Sequence, residues 1–245
     1  MKVVVTKNYE ESCKFVAKEI IDLVNSIPDA KIGLATGGTA QNVYPHLIKA
    51  YEDKKVDFKN VSTINLDEYI GIDPENPLSY RYCMDNWFFN HVNIDKANTY
   101  VPCGLNDIES EIKTFNEKLY GDKLLDFQLL GIGVNGHIGF NEPHDSLTAG
   151  VHIENLDEST IKANSRFFDS PDDVPRKSIT MGVGDIMKAA KIVLIATGDN
   201  KVEVMKALLM NDYVTTKIPA TILKLHRDVT IVIDEDLAKK AGYVK

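Results

Sequence analysis

Six short runs rich in branched apolar residues recur along the chain, at residues 3–5, 32–35, 61–66, 127–132, 192–196 and 229–233. None alternates apolar with polar residues, as a strand with one wet face would. Near-continuous apolar strands need cover on both faces, and the cover comes from the segments between them. Cys13, Val16, Ala17, Ile20, Val24 and Ile27 recur at the three-and-four spacing of a helix with one buried face, which Pro28-Asp29 ends. Residues 43–51 read as a further helix. The pattern predicts an α/β fold of three αβα layers, with a mostly parallel, Rossmann-like sheet between helices. No repeat, linker or low-complexity stretch divides the 245 residues, so residues 1–245 are read as one domain.

In such sheets ligands sit outside the carboxyl ends of the strands. After residues 32–35 comes Thr36-Gly37-Gly38-Thr39, which is expected to open a helix. Its glycines let backbone N–H groups approach a ligand, so it reads as an anion cradle or as a plain tight turn. It lacks the lysine of a Walker loop. After residues 61–66 comes Asp67-Glu68-Tyr69. Neighbouring carboxylates on an extended segment point to opposite sides, so one faces the crevice. Asp67 is the candidate general base, with a cap as the plainer alternative.

After residues 127–132, four glycines surround His137 within residues 131–139, and Asn135 and Glu142 lie close by. A loop this tight exposes an imidazole at the sheet edge, and a carboxylate five residues on is placed to orient it. After residues 192–196, Thr197-Gly198-Asp199-Asn200-Lys201 puts an ammonium at a helix start, a slightly unfavourable place that a bound phosphate would make favourable. Arg166 lies between Ser165 and Phe167, either as a fork for phosphate oxygens or as a solvated charge. Tyr80, Tyr82, Trp87, Phe88 and Phe89 read as helix core.

A net charge of −8 without a basic stripe argues against nucleic acid and against a polybasic membrane contact. No run approaches the roughly 20 apolar residues of a membrane span, and the N-terminus is too short in apolar residues for a signal peptide. The remaining histidines show no metal-ligand spacing, so no metal is expected. Cys13, Cys83 and Cys103 form no C-x-x-C pair and read as reduced thiols in the cytoplasm.

Taken together, Leu66-Asp67-Glu68-Tyr69, the Gly136-His137-Ile138-Gly139-Phe140-Asn141-Glu142-Pro143 run and Ala163-Asn164-Ser165-Arg166-Phe167-Phe168 resemble the glucosamine-6-phosphate deaminase family. The resemblance extends over nearly the whole chain, through Thr36-Gly37-Gly38-Thr39 and Gly182-Val183-Gly184. It implies conversion of glucosamine 6-phosphate and water to fructose 6-phosphate and ammonia, without metal or organic cofactor. It further implies that His137, with Glu142 and Asn135, opens the sugar ring and that Asp67 moves the C2 proton. Arg166 and Lys201 match phosphate-binding positions, Thr36, Gly37, Gly38 and Thr39 lie at the substrate pocket, and a lid lies near residues 154–175.

Two departures qualify the resemblance. Some members carry aspartate at the position of Asn135, which implies an assisting role there. Members activated by N-acetylglucosamine 6-phosphate carry basic residues where His152 and Glu154 stand, and they have a longer C-terminal tail. The expectation is therefore a non-allosteric enzyme, a monomer or small homo-oligomer, whose partner is the small substrate alone. A lactonase acting on 6-phosphogluconolactone shares the fold and the glycine–histidine loop but needs no base at C2, which sets Asp67 against it. A sugar-phosphate sensor would keep the cations without needing Asp67 or His137.

Overall fold

The computed structural model describes residues 1–105 and 107–243. In chain order the elements are β1 (Lys2–Thr6), α1 (Tyr9–Ser26), β2 (Lys31–Leu34), α2 (Tyr44–Glu52), β3 (Ser62–Asn65), β4 (Asp67–Tyr69), α3 (Tyr80–Trp87), β5 (Thr99–Tyr100), α4 (Ile108–Tyr120) and β6 (Phe127–Leu130). They continue with β7 (His152–Asn155), α5 (Glu158–Asn164), β8 (Lys177–Thr180), α6 (Val183–Ile186), β9 (Lys191–Ala196), α7 (Val202–Met210), β10 (Val229–Asp234) and α8 (Glu235–Lys240).

Seven strands form a parallel sheet in the order β1-β10-β9-β6-β2-β3-β5, with helices around it. Strands β2, β6 and β10 are buried along their whole length, as strands covered on both faces must be. Helix α1 supplies part of that cover by burying Cys13, Val16, Ala17, Ile20 and Val24. Asn8 caps its start by accepting from the Glu11 N–H at 3.0 Å, and the chain leaves the helix at Ile27, ahead of Pro28. Fully burying one such isoleucine or valine contributes about 1.5–3 kcal/mol.

Successive strands run outward in one direction from β2 through β3 to β5, and in the other from β6 through β9 to β10. The direction reverses between β2 and β6. Their carboxyl ends therefore diverge and leave a crevice at that point.

The sequence gives no warning of a second, antiparallel sheet in the order β4-β8-β7. The chain does not enter a helix after the third apolar run: it bends at Leu66, leaves the large sheet and enters the small one, where Asp67 pairs with Thr180 and Tyr69 with Ser178. The Met181 N–H donates to the Leu66 carbonyl at 2.8 Å and fastens the two sheets at the crossing. A smaller apolar cluster of Tyr69, Ile72, Phe140, Leu156, Ile161 and Val174 lies under this sheet, separate from the main core.

Candidate active site

A cavity of about 670 Å³ opens at the carboxyl ends of β2, β3, β6 and β9. Its walls include Thr36, Gly37, Gly38, Thr39, Asp67, His137, Arg166 and Lys201. Asn135 and Glu142 stand behind His137 and reach the cavity through it. Every residue that the sequence offers for catalysis or substrate binding is thus gathered at one sheet edge.

His137 is set by its loop. The ring lies directly over Gly133, where a β-carbon would come within 2.4 Å of it, so glycine alone fits there. Gly136 turns the chain with φ +89°, a conformation side chains rarely adopt. The ring Nδ1 lies 3.2 Å from Glu142 Oε2 and 3.3 Å from Thr160 Oγ1. A ring nitrogen facing a carboxylate carries the hydrogen, which leaves Nε2 free for a ligand. Asn135 Nδ2 donates to the same Glu142 oxygen at 2.7 Å and to Ser159 Oγ at 3.2 Å, while its Oδ1 accepts from the His137 N–H at 3.2 Å. Glu142 is almost fully enclosed. Burial pushes its carboxyl up, but the hydrogen bond and charge of His137, with Thr160 and Asn135, outweigh burial and hold it below the usual carboxylate range.

Asp67 is placed differently. It is 5% exposed, and its carboxylate accepts no hydrogen bond from any described residue. A β-carbon on Gly139 would lie 3.5 Å from its Oδ2, so the His137 loop passes close beside it. Burial, then the charge of Glu68, push its carboxyl well above the usual range. Glu68 points the opposite way, as an extended backbone requires.

The two cations converge. Arg166 rests against the glycine turn, within 3.3 Å of where a Gly38 β-carbon would stand, with its guanidinium over the Phe167 ring at 4.6 Å. Lys201 precedes the first turn of α7, and burial followed by the charge of Arg166 push it down to about 8. Among the described residues neither has a carboxylate partner. Two cations that repel each other across a crevice without an anion form a site for one. The Thr36-Gly37-Gly38-Thr39 turn does not itself open the helix. The chain makes one turn, in which the Gln41 N–H donates to the Gly37 carbonyl at 2.9 Å, then a 3-10 turn, and α2 begins at Tyr44. Among the described residues, the Gly38 and Thr39 N–H groups have no acceptor.

A protein-family model described as glucosamine-6-phosphate isomerases/6-phosphogluconolactonase matches residues 6–232. The chain belongs to this family. It is 52% identical over 240 residues to a glucosamine-6-phosphate deaminase from Clostridium perfringens (strain 13 / Type A), covering 98% of this chain and 99% of that one. A deaminase of the same name from Thermoanaerobacter sp. (strain X514) is 50% identical over 239 residues, 97% of this chain and 94% of the other. A solved monomeric glucosamine-6-phosphate deaminase superposes with a TM-score of 0.95 at 39% identity, covering 98% of this chain and all of that one. The 6-phosphogluconolactonase from Trypanosoma brucei superposes at 0.75 with 14% identity over 97% of each chain, a likeness of fold alone.

Against the family background, three features stand outside the sequence reading. Tyr9, at the start of α1, donates its hydroxyl to the Thr39 carbonyl at 2.6 Å. In a planar peptide the carbonyl and the next N–H point in opposite directions. Tyr9 thereby turns the following N–H away from α1. Ser159 and Thr160, on α5, brace Asn135 and His137, and the Asn164 side chain donates to the Tyr69 hydroxyl at 2.8 Å. The segment that carries Arg166 therefore also touches the imidazole. The expectation for the aromatic group holds in part. Phe88 and Phe89 are core and Tyr80 and Trp87 pack against it, but Tyr82 is exposed, and Tyr80, Tyr82 and Trp87 also line the cavity that α3 overlooks.

His152 and Glu154 lie on β7 next to His144. Glu154 accepts from both imidazoles, at 3.1 Å from His144 and 3.3 Å from His152. Among the described residues no three His, Cys, Asp or Glu side chains are grouped as metal ligands would be. No helix among them is long and apolar enough to cross a membrane.

Proposed function

We propose that this chain deaminates glucosamine 6-phosphate, giving fructose 6-phosphate and ammonia. The observation that carries the reading is Asp67, a buried carboxylate with no donor of its own, in one cavity with the His137–Glu142 pair and the Arg166–Lys201 pair. Lactone hydrolysis moves no proton at C2 and so needs no base there. Relatives that bear the deaminase name and share about half of their residues over nearly the full chain support the same choice.

The phosphate is held by Arg166 and Lys201 with the N–H groups of the glycine turn. Its binding energy fixes carbons that lie several bonds away. His137 takes the proton of the anomeric hydroxyl and returns it to the ring oxygen, which opens the pyranose to an aldehyde. Glu142 and Asn135 hold the ring orientation during this exchange. The ammonium on C2 arrives beside Asp67 and favours its ionised form. Asp67 then removes the C2 proton, the electrons flow through C1 onto the aldehyde oxygen, and that oxygen takes a proton given up by the C2 ammonium, which yields an enolamine. The same proton, delivered to C1, leaves a ketimine at C2. Water adds to that carbon, the C–N bond breaks, and ammonia departs. Residues 154–175 act as a lid, with α5 bracing the imidazole and Arg166 reaching the phosphate. No metal or organic cofactor takes part in this scheme.

The reading extends to assembly and control. The chain is a monomer or small homo-oligomer of the cytoplasm, where its phosphorylated substrate is confined. The name of the solved relative, a monomeric deaminase, supports the first choice. Glu154 is an anion already paired with two imidazoles, which disfavours a second phosphate there, so turnover is not activated by N-acetylglucosamine 6-phosphate. The test is ammonia release from glucosamine 6-phosphate, run beside hydrolysis of 6-phosphogluconolactone, with and without the acetylated sugar phosphate. Hyperbolic ammonia release is expected. Lactone hydrolysis alone overturns the reading, and sigmoidal kinetics relieved by the acetylated compound overturn the non-allosteric part.

A further inference from the structure

Asp67 and Glu68 are adjacent carboxylates on β4, and their surroundings differ sharply. Glu68 is 2% exposed and accepts four hydrogen bonds. Its Oε1 receives the Tyr69 N–H at 2.9 Å. Its Oε2 receives the Ser79 hydroxyl at 2.9 Å, the Tyr80 N–H at 2.8 Å and the Arg81 N–H at 3.1 Å. These are the donors at the start of α3, where a negative charge is favoured. Ser79 in turn accepts from the Arg81 N–H at 3.0 Å. Asp67 receives nothing from this set.

We propose that Glu68 is the positioning residue for the carbon-bound proton transfer: by taking the donors of α3, it fixes β4 so that Asp67 faces the cavity with no donor of its own. The proposal rests on the deaminase reading. A donor on Asp67 would favour the ionised form and weaken the base, whereas a fixed anion beside it does the opposite. The other groups in the field of these carboxylates are Tyr69, Tyr80 and Cys83, whose protons are held more tightly by burial first and by the neighbouring negative charge second. The Arg81 guanidinium offers no compensation, since it turns away to Asp85 at 2.8 Å and Thr99 at 2.9 Å.

The test is the pH profile of ammonia release by Glu68→Gln, which keeps the shape and removes the charge. The acid limb of kcat is expected to move to lower pH, with KM unchanged. The plateau should fall about tenfold, less than the roughly 10²–10⁴-fold that a whole acid–base group contributes. A profile that superposes on the parent, with only Tm lowered, makes Glu68 a structural cap and overturns the proposal. If Glu68→Gln does not fold, Glu68→Asp keeps the charge but withdraws it from α3. A fall in kcat at constant KM then supports the proposal, and an unchanged kcat overturns it. A parent protein that releases no ammonia at all removes the deaminase reading itself, a different result from either variant's.

Discussion

The two ends of the cavity are built on opposite principles. At the imidazole end nearly every polar atom is satisfied within the protein: Asn135, His137, Glu142, Ser159 and Thr160 bond one another. At the cationic end the charges and donors are left open, with Arg166 and Lys201 without carboxylate partners among the described residues and the Gly38 and Thr39 N–H groups without acceptors. An imidazole that must shuttle a proton has to be held in one tautomer and one orientation, so its hydrogen bonds are filled in advance. Groups that bind an anion gain most if nothing inside the protein competes for them. Asp67 follows the second principle in the middle of the site, because a base with a donor is a weaker base.

Substitutions at the open positions break this contrast most visibly. Asp67→Asn should lower kcat by about 10²–10⁴-fold and stop exchange of the C2 proton with solvent, followed by NMR in heavy water. Retained exchange would assign the base elsewhere. The same variant should melt higher at neutral pH. The Asp67 carboxyl titrates higher folded than unfolded, so the folded state loses stability as pH rises beyond the unfolded value, and an amide has no such loss.

Next come the cations. Arg166→Ala or Lys201→Ala should each cost about 1.5–3 kcal/mol in kcat/KM, since a charge-assisted hydrogen bond is lost. Both variants retaining parental kcat/KM would place the phosphate elsewhere.

A smaller effect sharpens the same point. Lys201 loses its proton near pH 8 in the free enzyme. KM for the sugar phosphate should therefore climb above that pH while kcat moves less, and Lys201→Arg should flatten the rise because a guanidinium stays charged. A pH-independent KM in the parent would show that Lys201 is not in contact with the phosphate. The smallest effect is expected from Tyr9→Phe, which frees the Thr39 carbonyl. Loss of one neutral hydrogen bond, about 1 kcal/mol, should raise KM several-fold and leave kcat alone. Equal losses in both constants would mean that the tyrosine acts on more than binding.

Much of this arrangement is legible without coordinates. Six of the seven strands of the large sheet announce themselves by branched apolar residues within a few positions, and helix α1 by its periodicity, because these signals depend on near neighbours, whereas the two-residue β5 and the small sheet carry no such run. Knowing that ligands gather beyond strand ends is then enough to select Thr36, Asp67, His137 and Lys201. That Asp67 and Glu68 face opposite ways follows from extended backbone alone, although which of them enters the cavity does not.

Other features depend on partners distant in sequence. Pairing of β4 with β8 draws residues 67–69 out of the large sheet and into the small one, and no local pattern around residue 67 encodes Thr180. The placement of α3 decides that Tyr80 and Trp87 serve as core and cavity wall at once while Tyr82 is wall alone, since an aromatic side chain suits either role. The bond from Tyr9 to Thr39 and the approach of Arg166 to Lys201 arise only when α1 and the residues after α5 close on the same loop. Sequence by itself determined six strands of the large sheet, helices α1 and α2 and the chemical groups at the strand ends, because short-range sterics and hydrophobic spacing suffice for that. The tertiary structure alone decided which of those groups remain without partners, because satisfaction of a buried charge or donor depends on every element packed around it.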